Sequence, residues 1–294
     1  MKIVMVTPSV PHPFANTAAR WYDVLCRGLA RRGHRVTCFS CSEEKASLVG
    51  ESEQLLSGSG VAFKHFPQKI DPNPLRRKFR NLMRPFSELA QQAPLRHALE
   101  HELKTADILH LEQLVTGWLE NGFPQTLLNI HFLESIDWGK RDHLSWAEKK
   151  EFFQMKRAAK KILGKATHIC SLTERLRQEI LLINPKAKTW VTPLGLDLSL
   201  YPLLPPVKEP VIGMLGSMHW YPSRSAAIHL ITQIWPLIQT KVPHCKLLIA
   251  GWNAKKYLSQ YLPRPGISLE ENLKHPSDFF SRISVMVYAP ERGS

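Results

Sequence analysis

The sequence lacks the features that mark secreted, membrane-spanning and zinc-binding proteins. Its 294 residues include five cysteines, and no second pair accompanies Cys38 and Cys41. Structural zinc needs four ligands, so we expect no metal site and a reducing, cytoplasmic environment. No apolar run has the roughly 18 residues of a membrane span. The chain opens directly on a strand pattern, and we expect no secretory signal there.

Acidic residues are also scarce. The chain has 39 Lys and Arg against 25 Asp and Glu, which gives a formal net charge of +14. Such an excess attracts polyanions, and nucleic acid, anionic lipid headgroups and nucleotide diphosphates are the candidates. Nucleic acid is disfavoured as a partner, because no zinc-finger, RNP-like or helix-turn-helix signature accompanies the charge.

What the sequence does contain is a recurring strand–helix–strand pattern, which predicts an α/β fold with parallel sheets. The length predicts about two domains. We expect the first over residues 1–201 and the second over residues 210–294, joined by a proline-rich linker at 202–209. Near the start, Thr17 is the expected N-cap of the helix that follows the opening strand.

The predicted second domain begins with a glycine loop at the end of its first strand. Gly216 and Ser217 follow the apolar residues 211–215, Ser223 is the expected helix N-cap, and Pro236 is expected to kink or split that helix. Ligands bind at the carboxyl ends of parallel strands, where loop amides and a helix N-terminus favour an anion. One Gly and one Ser make no phosphate fingerprint, so a plain scaffold is an equally good interpretation.

A histidine stands at the end of a predicted strand in the first domain. His131 follows residues 126–130, with Glu134 and Asp137 close behind it. A lone histidine at a strand end is more often structural than functional. Its position at the rim of a parallel sheet, near two carboxylates, weighs the two interpretations about evenly.

Residues 75–86 combine apolar and basic side chains in a helical pattern. Five cations occupy most of its surface, and its apolar side chains share one face: Leu75, Phe79, Leu82, Met83 and Phe86. Such a segment is typical of helices that lie in a lipid interface, and an anionic membrane is therefore a candidate partner. A solvated helix that covers the sheet is the alternative. The Lys- and Glu-rich residues 146–163 are interpreted as a solvated helix face.

Several sequence segments resemble those of glycosyltransferase family four. Residues 216–222 read Gly-Ser-Met-His-Trp-Tyr-Pro, residues 235–238 read Trp-Pro-Leu-Ile, and residues 247–251 read Leu-Leu-Ile-Ala-Gly. The loop is most similar to that of bacterial exopolysaccharide-type sugar transferases, in which Asn takes the place of Ser223. Residues 29–36 resemble the opening unit of the same family.

The resemblance implies a GT-B fold, in which two Rossmann-like, doubly wound domains face a cleft. It also implies a retaining transfer of a sugar from a nucleotide-diphosphate sugar to a carbohydrate or lipid-linked hydroxyl acceptor. This chemistry belongs to cell-surface polysaccharide or glycolipid synthesis, at or near the inner face of the plasma membrane. The nucleotide sugar is the co-substrate, and no other cofactor or metal is implied.

The resemblance also assigns site residues. His131 would position the acceptor or the sugar hydroxyls as the catalytic residue. The donor side would comprise Gly216, Ser217, Arg224, Glu291, Arg292, Gly293 and Ser294. The acceptor or membrane side would comprise Asn16, Arg20, Arg76, Arg77, Lys78, Phe79 and Arg80. Two departures weaken the match, since the family's glycine pair in the first loop and its Arg-and-Lys pair after Gly216 are both replaced.

From residue 210 onward the sequence offers about four strands, fewer than a complete nucleotide domain of this type needs. In the family, a carboxylate that binds the ribose follows the segment at residues 291–294. The resemblance therefore implies an incomplete second domain, and we expect weak or absent turnover from these 294 residues alone.

Two other classes of function stay open. A nucleotide-sugar epimerase of GT-B fold would need an acid/base pair, for which Glu134 and Asp137 are the candidates. A non-enzymatic basic module would bind anionic lipid or nucleic acid in a salt-sensitive way, whatever nucleotide sugar is present.

Overall fold

A computed structural model describes residues 1–120, 122–137, 145–201, 203–205, 207–262, 264–271, 273 and 275–290. The chain forms two units. The N-terminal unit extends to Ile136 and resumes for residues 145–196, and the C-terminal unit comprises Asp137 and the described residues from Asp197 onward. Each unit is an α/β structure built on one parallel sheet, as the sequence pattern predicts.

The N-terminal sheet has seven strands in the order β3-β2-β1-β4-β5-β6-β7. Its strands are β1 (Lys2–Thr7), β2 (Arg35–Ser42), β3 (Ala62–Pro67), β4 (Ile108–Glu112), β5 (Thr126–Ile130), β6 (His168–Ser171) and β7 (Lys188–Val191). The helices between them are α1 (Thr17–Arg31), α2 (Ala46–Ser57), α3 (Pro74–Met83), α4 (Ala93–Leu103), α5 (Glu134–Asp137), α6 (Trp146–Leu163) and α7 (Glu174–Ile183).

The central strands of this sheet are largely apolar because helices cover both faces. Val4, Val6, Leu109, Leu128 and Ile169 are all buried in the main core. Each such side chain contributes roughly 1.5–3 kcal/mol by leaving water. The packing holds β4 and β5 side by side in the middle of the sheet, with their carboxyl ends at the same edge.

Capping residues fix the helix starts. The residue that caps α1 is Asn16, and not Thr17 as predicted. The side-chain oxygen of Asn16 accepts a hydrogen bond from the amide of Ala19 at 3.0 Å. Thr173 caps α7 in the same way, at 3.2 Å from the amide of Leu176. Side-chain oxygens at this position satisfy amides that have no partner within the helix.

The C-terminal sheet has four strands in the order β10-β9-β8-β11. Its elements are β8 (Val211–Leu215), α8 (Tyr221–His229), α9 (Trp235–Lys241), β9 (Lys246–Ala250), α10 (Ala254–Leu258), β10 (Ile267–Glu270), α11 (Pro276–Phe280) and β11 (Val285–Met286). The four strands predicted after residue 210 are thus present.

The helix between β8 and β9 is interrupted before its proline. A π-helical segment, Leu230–Ile234, separates α8 from α9, and Pro236 lies in the first turn of α9. Proline has no N–H and its ring crowds the preceding turn, so the predicted split is confirmed. The predicted cap is wrong, because α8 begins after Trp220 and Ser223 lies buried inside its first turn.

The carboxyl ends of β8 and β9 touch. Gly251 has a φ of +138°, and a Cβ on it would stand 1.9 Å from the carbonyl oxygen of Gly216. Only glycine fits at such a backbone-to-backbone approach. Gly251 therefore fixes the shape of the loop that carries Gly216 and Ser217.

Gly251→Ala should lower the free energy of unfolding of the C-terminal unit by about 2–4 kcal/mol, since both the φ and the contact oppose a side chain. Urea denaturation would measure this. Gly50→Ala, within α2 where a Cβ meets nothing within 4 Å, is the control. It should be neutral or slightly stabilising. Equal effects of the two substitutions would contradict the account.

Candidate active site

Polar side chains from β4 and β5 meet at the carboxyl edge of the N-terminal sheet. Glu112 is the last residue of β4 and pairs in register with Asn129 of β5. His110 and His131 stand two residues from these positions, and residues two apart in a strand share one face. The topology therefore gathers two histidines, one carboxylate and one amide.

Glu112 is the centre of this cluster and is completely buried. One carboxylate oxygen lies 2.7 Å from Nε2 of His131. The other lies 2.8 Å from Nε2 of His110. Asn129 donates its side-chain N–H to both oxygens at 3.2 Å.

The cluster keeps Glu112 ionised. Burial by itself raises the pKa of the Glu112 carboxyl, but contact with His110 and His131 outweighs burial and lowers that pKa to about 2. A buried carboxylate is stable only when partners of this kind surround it. Because the ionised carboxylate only accepts hydrogen bonds, His131 must donate its Nε2–H to it.

Tyr22 of α1 lies beside His131, with the two ring centroids 5.8 Å apart. Its side chain is fully buried. Burial, and then the negative charge of Glu112, raise the pKa of the Tyr22 hydroxyl well above its ordinary value. The phenol therefore stays protonated next to the histidine.

The residue after Glu112 has a strained backbone. Gln113 has φ 65° and ψ 161°, a region that residues other than glycine rarely adopt. The hydroxyl of Thr116 donates to the carbonyl oxygens of Glu112 and Gln113, both at 2.9 Å, and the amide of Gln113 donates to Asn129 O at 2.8 Å. Strain of about 1–3 kcal/mol, held in place by such bonds, is a frequent mark of a functional site.

The structure therefore places His131, the predicted catalytic residue, within a network that the sequence did not reveal. His110, Glu112 and Asn129 were missed as site residues. Their signal was present as polar residues two apart at the ends of two apolar strands. Of the epimerase candidates, Asp137 is buried on α5, and the side chain of Glu134 lies outside the described residues.

Asn16 and Arg20, predicted on the acceptor side, both hold the loop that precedes α1. Asn16 caps the helix, and Arg20 donates Nε–H to the carbonyl oxygen of Ala15 at 2.8 Å. Their structural roles are clear, and acceptor binding by them stays a prediction.

The predicted donor loop differs from the expectation at Gly216. Its amide donates to Ala250 O at 3.0 Å and so serves the sheet, not a phosphate. A Cβ on Gly216 would lie 3.0 Å from the Ser223 hydroxyl, so glycine here permits close packing. Phosphate binding by the Ser217 amide stays a prediction. The guanidinium of Arg224 lies over the ring of Tyr257, 4.7 Å from its centroid.

Glu291, Arg292, Gly293 and Ser294 lie outside the described residues. Beside the donor loop, the rings of His219 and Trp252 lie 5.4 Å apart, just beyond the ends of β8 and β9. In the described part of the chain, no group of three His, Cys, Asp or Glu side chains is arranged to hold a metal ion.

On α3, the residues predicted on the acceptor or membrane side divide into two groups. Arg76, Lys78 and Phe79 are exposed, and Arg77 is half-buried. Arg80 turns inward, where it bonds to Asp71 at 3.3 Å and pairs with Glu88 at 3.5 Å. Arg80 therefore does not belong to an exposed binding face, contrary to the prediction.

Residues 18–200, more than half of the chain, match the family model described as Glycosyltransferase Family 4. The chain belongs to glycosyltransferase family 4. No curated protein matches this family-4 chain by sequence.

Solved structures resemble the whole chain at low identity. S. aureus TarM, in a mutant form in complex with fondaparinux, alpha-GlcNAc-glycerol and UDP, is 9% identical with a TM-score of 0.63, over 99% of this chain and 81% of that one. An E. coli trehalose-6-phosphate structure bound with UDP-2-fluoro glucose is 10% identical with a TM-score of 0.55, over 99% and 78%. The fold is therefore that of the GT-B glycosyltransferases, as the resemblance implied.

Glu112→Gln should reduce the free energy of unfolding at neutral pH by about 2–4 kcal/mol, because the groups around the buried carboxylate lose their anionic partner. The depressed pKa makes this contribution complete above the ordinary value of 4.5 and lost as the pH falls towards about 2. Urea unfolding of the unaltered protein and of Glu112→Gln, between pH 4.5 and about 2, would measure this. The difference in their free energies of unfolding should shrink as the pH falls.

Glu174→Gln is the matched control, because Glu174 also has a lowered pKa but forms an exposed pair with Arg177. Its effect should stay within about 0.5 kcal/mol. A difference for Glu112→Gln that does not change with pH would contradict an ionised Glu112.

Proposed function

We propose that this family-4 protein transfers a sugar, with retention of anomeric configuration, from a nucleotide-diphosphate sugar to a hydroxyl acceptor. The acceptor is a carbohydrate or lipid-linked molecule in cell-surface polysaccharide or glycolipid synthesis of the bacterial exopolysaccharide type. Family membership supports a transferase over the epimerase and the non-enzymatic module. The sugars and UDP named with the TarM and E. coli structures support a nucleotide sugar as donor.

The observation that carries the proposal is the hydrogen bond between His131 and the buried Glu112 anion, at 2.7 Å. It occupies Nε2 and leaves Nδ1 as the ring atom that would contact a sugar hydroxyl. A side chain fixed in this way contacts substrate without first losing rotational freedom. Tyr22, kept neutral beside it, would restrict the orientation of the ring.

The chemistry depends mainly on the leaving group. As the bond from the sugar to the diphosphate breaks, negative charge develops on the phosphate oxygens, and donors already in place stabilise it. We propose that the amide of Ser217 and the guanidinium of Arg224, with residues 291–294, supply those donors. The acceptor oxygen forms the new bond on the same face of the sugar. Its proton leaves with the diphosphate.

The C-terminal unit would hold the nucleotide. Gly251 and Gly216 bring the ends of β8 and β9 into contact. The exposed ring of Trp252 beside His219 provides a surface on which a nucleobase can stack. We propose this edge as the nucleotide site.

Thermal shift with uridine, guanosine and thymidine diphosphates tests the donor class. A nucleotide present at 100 times its dissociation constant adds about 2.7 kcal/mol to stability and should raise Tm by several degrees. Mass spectrometry of the protein incubated with the matching nucleotide sugars and hydroxyl acceptors then tests transfer. No stabilisation by any nucleotide, together with no transfer, would overturn the proposal. Sugar interconversion without an acceptor would favour the epimerase.

Because weak turnover is expected from these 294 residues, His131→Ala is compared with whatever kcat the unaltered chain gives. The substitution should lower that kcat by about 100-fold or more if His131 contacts the reacting sugar. The stabilisation by nucleotide should remain, since we place the nucleotide on the C-terminal unit. His168→Ala is the control, because His168 stacks on Trp190 at a centroid distance of 6.0 Å, away from the cluster. Equal loss of kcat in both variants would remove His131 from the mechanism.

A further inference from the structure

The positive charge of the chain is concentrated on two helices of the N-terminal unit. Residues 74–84 and 146–165 hold twelve Lys and Arg but two Asp and Glu, so they carry ten of the fourteen net charges. These residues form α3 and α6 with their immediate C-terminal flanks. The polar cluster around Glu112 uses none of them.

Cations of α6 attach α3 alongside it. Arg157 donates to the carbonyl oxygen of Leu82, and Lys161 donates to that of Met83 at 2.7 Å. Both carbonyls lie in the last turn of α3, where no amide within the helix can reach them. Two residues beyond Met83, the indole N–H of Trp118 donates to the carbonyl oxygen of Pro85 at 2.8 Å. The two helices therefore form one fixed surface.

This surface exposes large apolar side chains. On α3, Leu75, Phe79 and Leu82 are 76%, 68% and 57% exposed, and on α6 Trp146 and Phe153 are 89% and 53% exposed. Single exposed apolar residues are ordinary, but five on adjoining helices indicate an interaction site. The α6 residues correct the interpretation of that helix as a merely solvated face.

A groove runs between the helices, with a volume of about 500 Å³. Leu75, Phe79 and Leu82 line its apolar side, and Lys150, Gln154 and Arg157 line the other. A hydrocarbon chain fits the first wall, and a phosphate fits the cations of the second. Molecules that combine the two are anionic lipids.

We propose that α3 and α6 together are the face by which this protein binds an anionic lipid bilayer, and that the groove takes an acyl chain of one lipid. The apolar residues favour a bilayer over nucleic acid. Leucine side chains are stabilised when they leave water for acyl chains, whereas a phosphate backbone offers them no apolar surface. Trp146 has the amphipathic ring that settles at the lipid–water boundary. The inference extends the membrane expectation for α3 to a two-helix surface, and it does not depend on sugar transfer.

Co-sedimentation of the full chain with phosphatidylcholine vesicles, with and without about one third phosphatidylglycerol, tests the proposal. We expect binding only to the anionic vesicles, weakened by salt because counterions screen the cations. Trp146→Ser/Phe153→Ser, which leaves α3 untouched, should weaken binding about tenfold or more. Lys149→Glu/Lys150→Glu should weaken it similarly through charge alone.

Leu182→Ser is the control, because Leu182 is 78% exposed on α7 and does not line the groove. It should bind as the unaltered protein does, and circular dichroism should confirm that every variant folds. Full binding by the Trp146→Ser/Phe153→Ser variant would overturn the two-helix surface. So would equal binding to neutral vesicles. Displacement by duplex DNA without any effect of the apolar substitutions would indicate a general polyanion surface instead.

The assay contains no nucleotide sugar, so its result is independent of the transferase proposal. Vesicle binding without sugar transfer would remove the proposed function and leave this surface standing. Transfer to water-soluble acceptors without vesicle binding would support the proposed function and overturn the membrane-binding surface.

Discussion

The interaction on which the candidate site depends is the burial of one negative charge. Glu112 has no exposed surface, and it keeps its charge because His110, Asn129 and His131 surround it. Leaving such a group without partners would cost several kcal/mol, so the carboxylate and its neighbours specify one arrangement. The strained Gln113 backbone and the bonds of Thr116 hold the same arrangement from the main-chain side.

This constraint links the sheet to the chemistry. Parallel pairing of β4 with β5 brings the four side chains to one edge, and the covering helices exclude water from Glu112. His131 is thereby held by one ring nitrogen and offers the other. In the C-terminal unit, a backbone contact between Gly216 and Gly251 has the corresponding role of shaping a loop. Both edges lie at carboxyl ends of parallel strands, where α/β proteins bind ligands.

Sequence reasoning reached the α/β fold and the family, because periodic apolar strands and short sequence motifs are local signals. The catalytic role of His131 stays a prediction. The split at Pro236 was also predictable, since the cause lies in one residue. Glu112 was missed because its role depends on which strand lies next to β4, which no local pattern states. The predicted binding of a phosphate by the Gly216 amide was wrong, because this N–H donates to the carbonyl oxygen of Ala250 within the sheet. The apolar residues of α6 were hidden among its many charges.

The central claim is that an ionised Glu112 accepts a hydrogen bond from Nε2 of His131. NMR of the protein labelled with ¹⁵N at histidine reports which ring nitrogens carry hydrogen, and the His131→Ala variant assigns the signal. We expect a protonated Nε2 on His131 throughout the neutral range, unchanged in Glu174→Gln. An Nε2 without hydrogen would mean that Glu112 is the donor and neutral, and would contradict the account.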